Sequence, residues 1–231
     1  MVWVSVEDAE FSGQVSRYPT TNADYAHYLN RALADGLLVV DGNYVKGADG
    51  VTSKLGYASK KYYKLDGAGH TFDGAVNGGA ARIDYNGNIF TVQDGFEKHP
   101  VTFVSWYGAS AFCKYYGWRL PTSTEWQRVA RYDGSYRYGC GPRITHQTAN
   151  YKGSIHPHGT TPVGAFGLYG YGLADMAGNV WEWTATESES GNLRLFHGGS
   201  WHYDATYSAI DYIGRQPPDC MIPFIGFRVF R

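Results

Sequence analysis

Apolar and polar positions alternate from the first residues, Met1-Val2-Trp3-Val4-Ser5-Val6-Glu7-Asp8. This predicts a strand, not the basic and then apolar run of a signal peptide. Thr21-Asn22 offers a cap, and Tyr25, Leu29 and Leu33 (with Ala26 and Ala32) follow at helical spacing, so a helix is expected to about Leu33 with Gly36 as its stop. His99-Pro100 opens a predicted strand, Val101 to Val104, after which Ser105 can cap a second helix from Trp106 to about Tyr116. Its inner stripe is Ala109, Phe112, Cys113 and Tyr116, and Gly117 ends it. Thr122 followed three residues later by Glu125 is a capping box for a third helix, with Trp126, Val129 and Ala130 facing inward. Between these helices, residues 37–96 are rich in Gly, Asn, Asp, Lys and Tyr with short alternating runs such as Lys61-Tyr62-Tyr63-Lys64-Leu65. They predict hairpins and loops, an insertion long for a connection that serves either as interaction surface or only for packing. After Arg131 the chain is Gly-punctuated and loop-rich. Two to three helices followed by short strands define an α+β class dominated by loops.

Composition narrows the possible partners. At 231 residues, 16% aromatic with 30 Gly, the chain can bury a sizeable core as one domain over residues 1–231. Lys plus Arg (20) and Asp plus Glu (21) nearly balance, so no basic field is available for phosphate backbones and no nucleic-acid partner is expected. No apolar run approaches the ~20 residues of a membrane helix, so direct membrane insertion is not expected either. Synthesis in the cytoplasm is the default, and it is compatible with later display on a virion or cell surface. Cys113, Cys140 and Cys220 are odd in number and form no CxxC, which argues against a disulfide scaffold and a structural zinc. Cys113 reads as a small buried hydrophobe. His156-Pro157-His158 lacks a third ligand and reads as a loop pair. His197 and His202 read as hydrogen-bonded or contact residues, not as an acid–base or iron pair. No nucleophile elbow or phosphate-binding Gly loop is present.

Four segments fall in one order: His99 to Ser105-Trp106 with Arg119-Leu120-Pro121-Thr122 and Glu125-Trp126; Gly172 through Gly178-Asn179-Val180-Trp181-Glu182-Trp183; Gly198-Gly199-Ser200-Trp201; and Gly226-Phe227-Arg228. Together they resemble the formylglycine-generating-enzyme (sulfatase-modifying-factor) type of C-type-lectin-like fold, over nearly the whole chain except about 37–96. The resemblance implies that fold and, for activity, two copper-binding cysteines just after the Gly-Gly-Ser-aromatic element. Carried onto this chain, those positions are Tyr203 and, nearby, Ser208. A phenol and a hydroxyl cannot supply the soft thiolates that Cu(I) selects, so copper is not expected, and fold alone does not license the activity. The resemblance also implies a structural calcium held by the Asp175 side chain, the Gly178 and Val180 carbonyls and Glu182, an all-oxygen set that suits Ca²⁺. In the other reading, Glu182 accepts hydrogen bonds from loop N–H groups and no metal is bound.

Between Trp201 and Gly226 the sequence has neither helical nor strand periodicity, and Tyr and Ile are interleaved with Asp, Ser, Thr and Gly. That mixture is paratope-like, because Tyr gives rigid contact area and small polar residues adapt. The frame around it (Gly198 to Trp201, Ala205, Ser208-Ala209, Pro218-Asp219, Ile225 to Val229) is similar to that of variable proteins of diversity-generating retroelements, which use the same fold. In such systems substitution occurs at adenines, commonly in AAC-type codons. The residues between frame positions that such codons allow are His202, Tyr203, Asp204, Thr206, Tyr207, Ile210, Tyr212, Ile213, Gly214, Cys220, Ile222, Pro223 and Phe224, and these are the expected ligand contacts. Gln216 and Met221 are not allowed and are set aside as framework. The expectation is a non-catalytic display or receptor-binding protein whose variable region, about 198–228, meets a protein or other cell-surface ligand. The alternatives are a copper-dependent oxidase of the same fold, a subunit that makes contact through 37–96, and a stretch of core edge with no ligand.

Overall fold

A computed structural model describes residues 1–8, 10–50, 55–65, 80–152 and 159–231, together with the backbone of 71–72 and 75–76. Strands β1 (Trp3–Glu7) and β2 (Ser12–Ser16) form an antiparallel hairpin. The chain's other end closes on this hairpin: Gln14 and Arg231 exchange main-chain hydrogen bonds at 2.8 Å, and Ser16 N–H donates to the Val229 carbonyl at 2.9 Å.

Helix α1 (Asn22–Ala34) starts where a Thr21–Asp24 capping box satisfies its first N–H groups, and it buries Tyr25, Tyr28 and Leu29. Next come β3 (Leu38–Asp41), β4 (Tyr44–Gly47) and β5 (Lys61–Lys64) as one antiparallel sheet, then the two-residue strands β6 (Thr71–Phe72) and β7 (Ala75–Val76), and the hairpin of β8 (Ile83–Tyr85) and β9 (Phe90–Val92). The expected hairpins of the insertion are thus present. They are joined to the core, since Tyr62, Tyr63, Ile83 and Phe90 are buried and Asn30 of α1 bonds both main-chain groups of Phe90 at 2.8 Å.

Helix α2 (Trp106–Tyr116) begins at Ser105, whose hydroxyl accepts from Gly108 N–H, and it ends at Gly117 in the left-handed region at φ 73°. Helix α3 (Ser123–Arg131) carries the expected Thr122–Glu125 box and buries Trp126, Val129 and Ala130. The strand expected over 101–104 does not form. Phe103 takes a positive φ of 56°, and the segment instead bonds three separate partners, with Val101 N–H on Thr20, Phe103 N–H on Ile222 and Val104 bridging Tyr63. An apolar alternation that reads as a strand is here a buried connector, because its neighbours do not run alongside it.

The last part of the chain makes a four-stranded sheet of β10 (Trp181–Glu187), β11 (Arg194–His197), β12 (Gly214–Gln216) and β13 (Ile225–Gly226), in the order β12-β11-β10-β13. Only β13 runs parallel to its neighbour. Between β11 and β12 a single 3-10 turn, Ala205–Ser208, starts at Asp204, whose side chain accepts from Thr206 N–H. The larger core cluster joins Tyr25, Phe112, Trp183, Trp201 and Phe227; a second, on the far side of β10, joins Val15, Trp126, Met176 and Phe230. No helix among the described residues is long and apolar enough to cross a membrane.

Candidate binding site

The motif segments meet at one buried ion pair. Glu182 and Arg228 are both fully buried, with Arg228 Nε 2.6 Å from Oε2 and Nη2 2.7 Å from Oε1. This two-point geometry is what a guanidinium offers a carboxylate. Trp126 Nε1–H donates to the same Oε2 at 2.6 Å, and Arg228 Nη2 also donates to the Ala174 carbonyl at 2.7 Å. The turn before β10 is tied in by main-chain bonds from Gly178 N–H to Gly198, Asn179 N–H to Asn150 and Trp201 N–H to Asn179. Gly178 is required there: its φ is 74°, and a Cβ would lie 2.4 Å from the Asn150 carbonyl oxygen.

These partners bear on the calcium that the resemblance implied. Both Glu182 oxygens are engaged by N–H donors, Oε2 by Trp126 and Arg228 and Oε1 by Arg228. Asp175 Oδ2 accepts from Gly164 N–H at 2.7 Å, and burial pushes this carboxyl up to about 6. Gly178 and Val180 lie in the same turn, with Val180 fully buried. A doubly charged ion needs carboxylates free to ligate it, and the set Asp175, Gly178, Val180, Glu182 does not provide them. No group of three or more His, Cys, Asp or Glu suited to a metal occurs among the described residues. The His156–His158 pair lies outside the described residues.

On the other face of β10 the expected contact residues separate into two kinds. Tyr203, Tyr207, Tyr212, Ile213, Gly214, Ile222 and Phe224 line one cleft of about 270 Å³ with Trp181, Phe196, Arg215 and Gln216. Its wall is a run of ring contacts: Trp181 to Tyr203 (5.8 Å) and Tyr212 (5.7 Å), Tyr203 to Tyr207 (4.9 Å), and Tyr207 to Tyr212 (4.8 Å). Tyr212 and Ile213 are each 37% exposed, and Tyr203, Tyr207 and Ile222 are half-buried. Asp204 and Thr206 are exposed beside it. Half-buried His202 stacks on Phe224 with ring centres 5.2 Å apart.

Three expected contacts are corrected. Ile210 is 1% exposed and packs in the second core cluster with Trp126 and Val129. Phe224 is 2% exposed, so it floors the cleft and offers no free face. Pro223 is buried, and its carbonyl accepts from Trp201 Nε1–H at 3.3 Å. Gly214 contributes main chain only, since a Cβ there would lie 2.0 Å from the Phe196 ring. Cys220 is half-buried and burial pushes its thiol up to about 11, which removes it as a nucleophile.

The two positions at which the resemblance places the enzymes' cysteines diverge. Tyr203 lines the cleft, whereas Ser208 is fully buried against Gly199, with a hydroxyl that has no hydrogen-bond partner among the described residues. His197 is hydrogen-bonded as expected: Nε2 lies 2.7 Å from Ser123 Oγ, and Nδ1 lies 3.2 Å from the Tyr212 carbonyl oxygen. Burial lowers it to about 4, so it is neutral near pH 7 and holds the main chain of Tyr212. Trp181, Phe196, Arg215 and Gln216 were absent from the expected contacts. Trp181 reads as a core residue, and only the pairing of β11 with β12 brings the other three to the cleft.

The family model of the sulfatase-modifying factor enzyme 1-like domain matches residues 7–231, so the chain belongs to that family. It is 38% identical over 168 residues to the serine/threonine-protein kinase pkn1 of Chlamydia caviae, covering 64% of this chain and 26% of that protein. It is 35% identical over 166 residues to the formylglycine-generating enzyme of Thermomonospora curvata, covering 57% of this chain and 55% of the enzyme. The chain thus spans between a quarter and just over half the length of these curated relatives. Among solved structures, Treponema denticola variable protein 1 superposes with a TM-score of 0.56 at 17% identity, covering 100% of this chain and 99% of that one, a likeness of fold.

Proposed function

We propose that this chain is a non-catalytic ligand-binding domain of the retroelement variable-protein kind, with the surface of residues 202–224 as its contact. The observation that carries the proposal is the pair of positions where the enzymes of the family need thiolates. One is a tyrosine in an aromatic cleft and the other a serine packed away from it. Half-exposed Tyr rings around a small cleft give large contact area at little entropic cost, which suits a macromolecular partner. The fold likeness to a variable protein supports the same reading. The partner is a protein or another cell-surface macromolecule, met after display on a virion or cell surface.

Three measurements test this. An array of purified cell-surface proteins should yield a ligand whose binding falls at least tenfold in Tyr207→Ala and Tyr212→Ala, with little change in melting temperature. If binding is unchanged in both, the contact lies elsewhere. The encoding locus should carry a near-identical template repeat that differs at adenines, beside a reverse transcriptase. Incubation with a Cys-containing sulfatase peptide, copper and oxygen should give no formylglycine, and turnover would establish the oxidase reading instead.

A further inference from the structure

The open edge of the C-terminal sheet offers main-chain groups between two clefts. In the order β12-β11-β10-β13, β12 pairs with β11 on one side and with no strand among the described residues on the other. Main-chain groups of an antiparallel strand point alternately to its two neighbours. The Leu195 carbonyl accepts the Thr184 hydroxyl of β10 at 2.9 Å, so the Leu195 main chain faces β10, and Arg194 and Phe196 face β12. Their register partners Gln216 and Gly214 therefore bond β11, and Arg215 between them turns its N–H and C=O outward.

Side chains alternate between the sheet's faces in the same way. Phe196, Gly214 and Gln216 lie on the face of the tyrosine cleft. On the opposite face, Leu193 and Leu195 help to line a second cleft of about 420 Å³ with Glu187 at the end of β10 and Ser188 and Glu189 of the turn that follows. Ile213 and Arg215 line both clefts, so the open edge runs between them. In the second cleft Glu187 is taken up by Arg194, whereas exposed Glu189 makes no ion pair among the described residues.

We propose that β12 accepts an extended peptide of a partner protein as an added antiparallel strand, one apolar side chain entering the tyrosine cleft and the next, basic one meeting Glu189. This rests on the binding reading and adds to it the mode and the chemistry of the partner. A strand laid on a free edge takes affinity from main-chain bonds and specificity from pockets for alternate side chains. Arg215 and Pro217 also limit the edge: a charge and a missing N–H prevent open-ended sheet growth, so the added strand is short.

Parity makes the proposal specific. Residues directly opposite each other share a face, so the peptide residue that bonds the Arg215 main chain is the basic one, and its side chain has to reach past the like-charged Arg215 guanidinium to Glu189. The probe is the acetylated, amidated peptide Ser-Lys-Phe-Lys-Phe-Lys-Ser, titrated into the whole chain with the Arg215 amide followed by NMR. Binding should move that amide. Backbone N-methylation at the lysines should weaken binding roughly tenfold, the equivalent of one lost hydrogen bond, while N-methylation at the phenylalanines should not. Glu189→Lys, on an exposed turn, should invert the preference toward the matching Glu-Phe peptide. Equal loss in both N-methyl series, an unmoved Arg215 amide, an unchanged charge preference, or no binding at all would each overturn strand addition. The binding reading fails separately: it falls if Tyr207→Ala and Tyr212→Ala leave capture of a cell-surface protein unchanged, and it stands if they abolish capture while no peptide binds.

Discussion

The two faces of β10 use aromatic residues to opposite ends. On one, Trp126 is fully buried, its indole N–H is bonded to Glu182, and the carboxylate is closed by Arg228. On the other, Tyr203, Tyr207 and Tyr212 form a run of tilted and edge-on ring contacts that reaches Trp181, yet keep part of their surface in solvent. The first face is held by directional, charge-assisted bonds in a dry interior, and the second by ring contacts at a rim. A fold that fixes its frame with buried polar bonds can leave the adjoining surface free to change, because little of its stability is stored there.

The comparison is broken most severely from the buried side. Arg228→Met leaves the Glu182 charge without its cation, and a loss of about 3–5 kcal/mol is expected in urea unfolding. A loss below 1 kcal/mol would mean that the ion pair does not hold the frame.

A smaller effect is expected from acid. Unfolded His197 takes a proton near 6.5, but in the fold only near 4, so unfolding takes up a proton between these values. Stability is therefore lost as pH falls from 6.5 to 4, by up to ~3 kcal/mol for this residue. Asp175 acts with the opposite sign, since it holds its proton to about 6 in the fold against 3.8 when exposed. Its contribution is present at low pH and fades as pH rises through 6. Asp175→Asn should thus steepen the acid loss and His197→Asn flatten it, as read from urea midpoints between pH 4 and 7; identical profiles would sink both assignments.

On the rim, Tyr212→Ala removes a partly exposed ring, and a cost of about 1 kcal/mol or less is expected alongside the loss of ligand binding. A cost above ~3 kcal/mol, the scale of a buried aromatic, would make Tyr212 a core residue. The smallest effect is expected from a chelator. With Glu182 closed by Arg228 and Trp126, EDTA should leave the melting temperature unchanged, whereas a native-state calcium site would lower it.

The sequence by itself determined the helices, because Thr21, Ser105 and Thr122 caps and their apolar spacing act within a few residues. It determined the family through its ordered Gly and Trp motifs, and it shows Tyr203 and Ser208 where the resemblance places the enzymes' cysteines. The insertion's hairpins were legible as well, but not that Tyr62, Tyr63 and Phe90 enter the core. Tertiary structure alone decided the rest. That Glu182 pairs with Arg228, 46 residues away, is not legible in either motif alone. Ile210, Pro223 and Phe224 lie in the same non-periodic segment as the exposed Tyr212 and Ile213, yet they turn inward. In a segment without periodicity no local rule assigns a face, so orientation follows from long-range packing against β10, β11 and α3. That packing also leaves the main chain of Arg215 on an open edge.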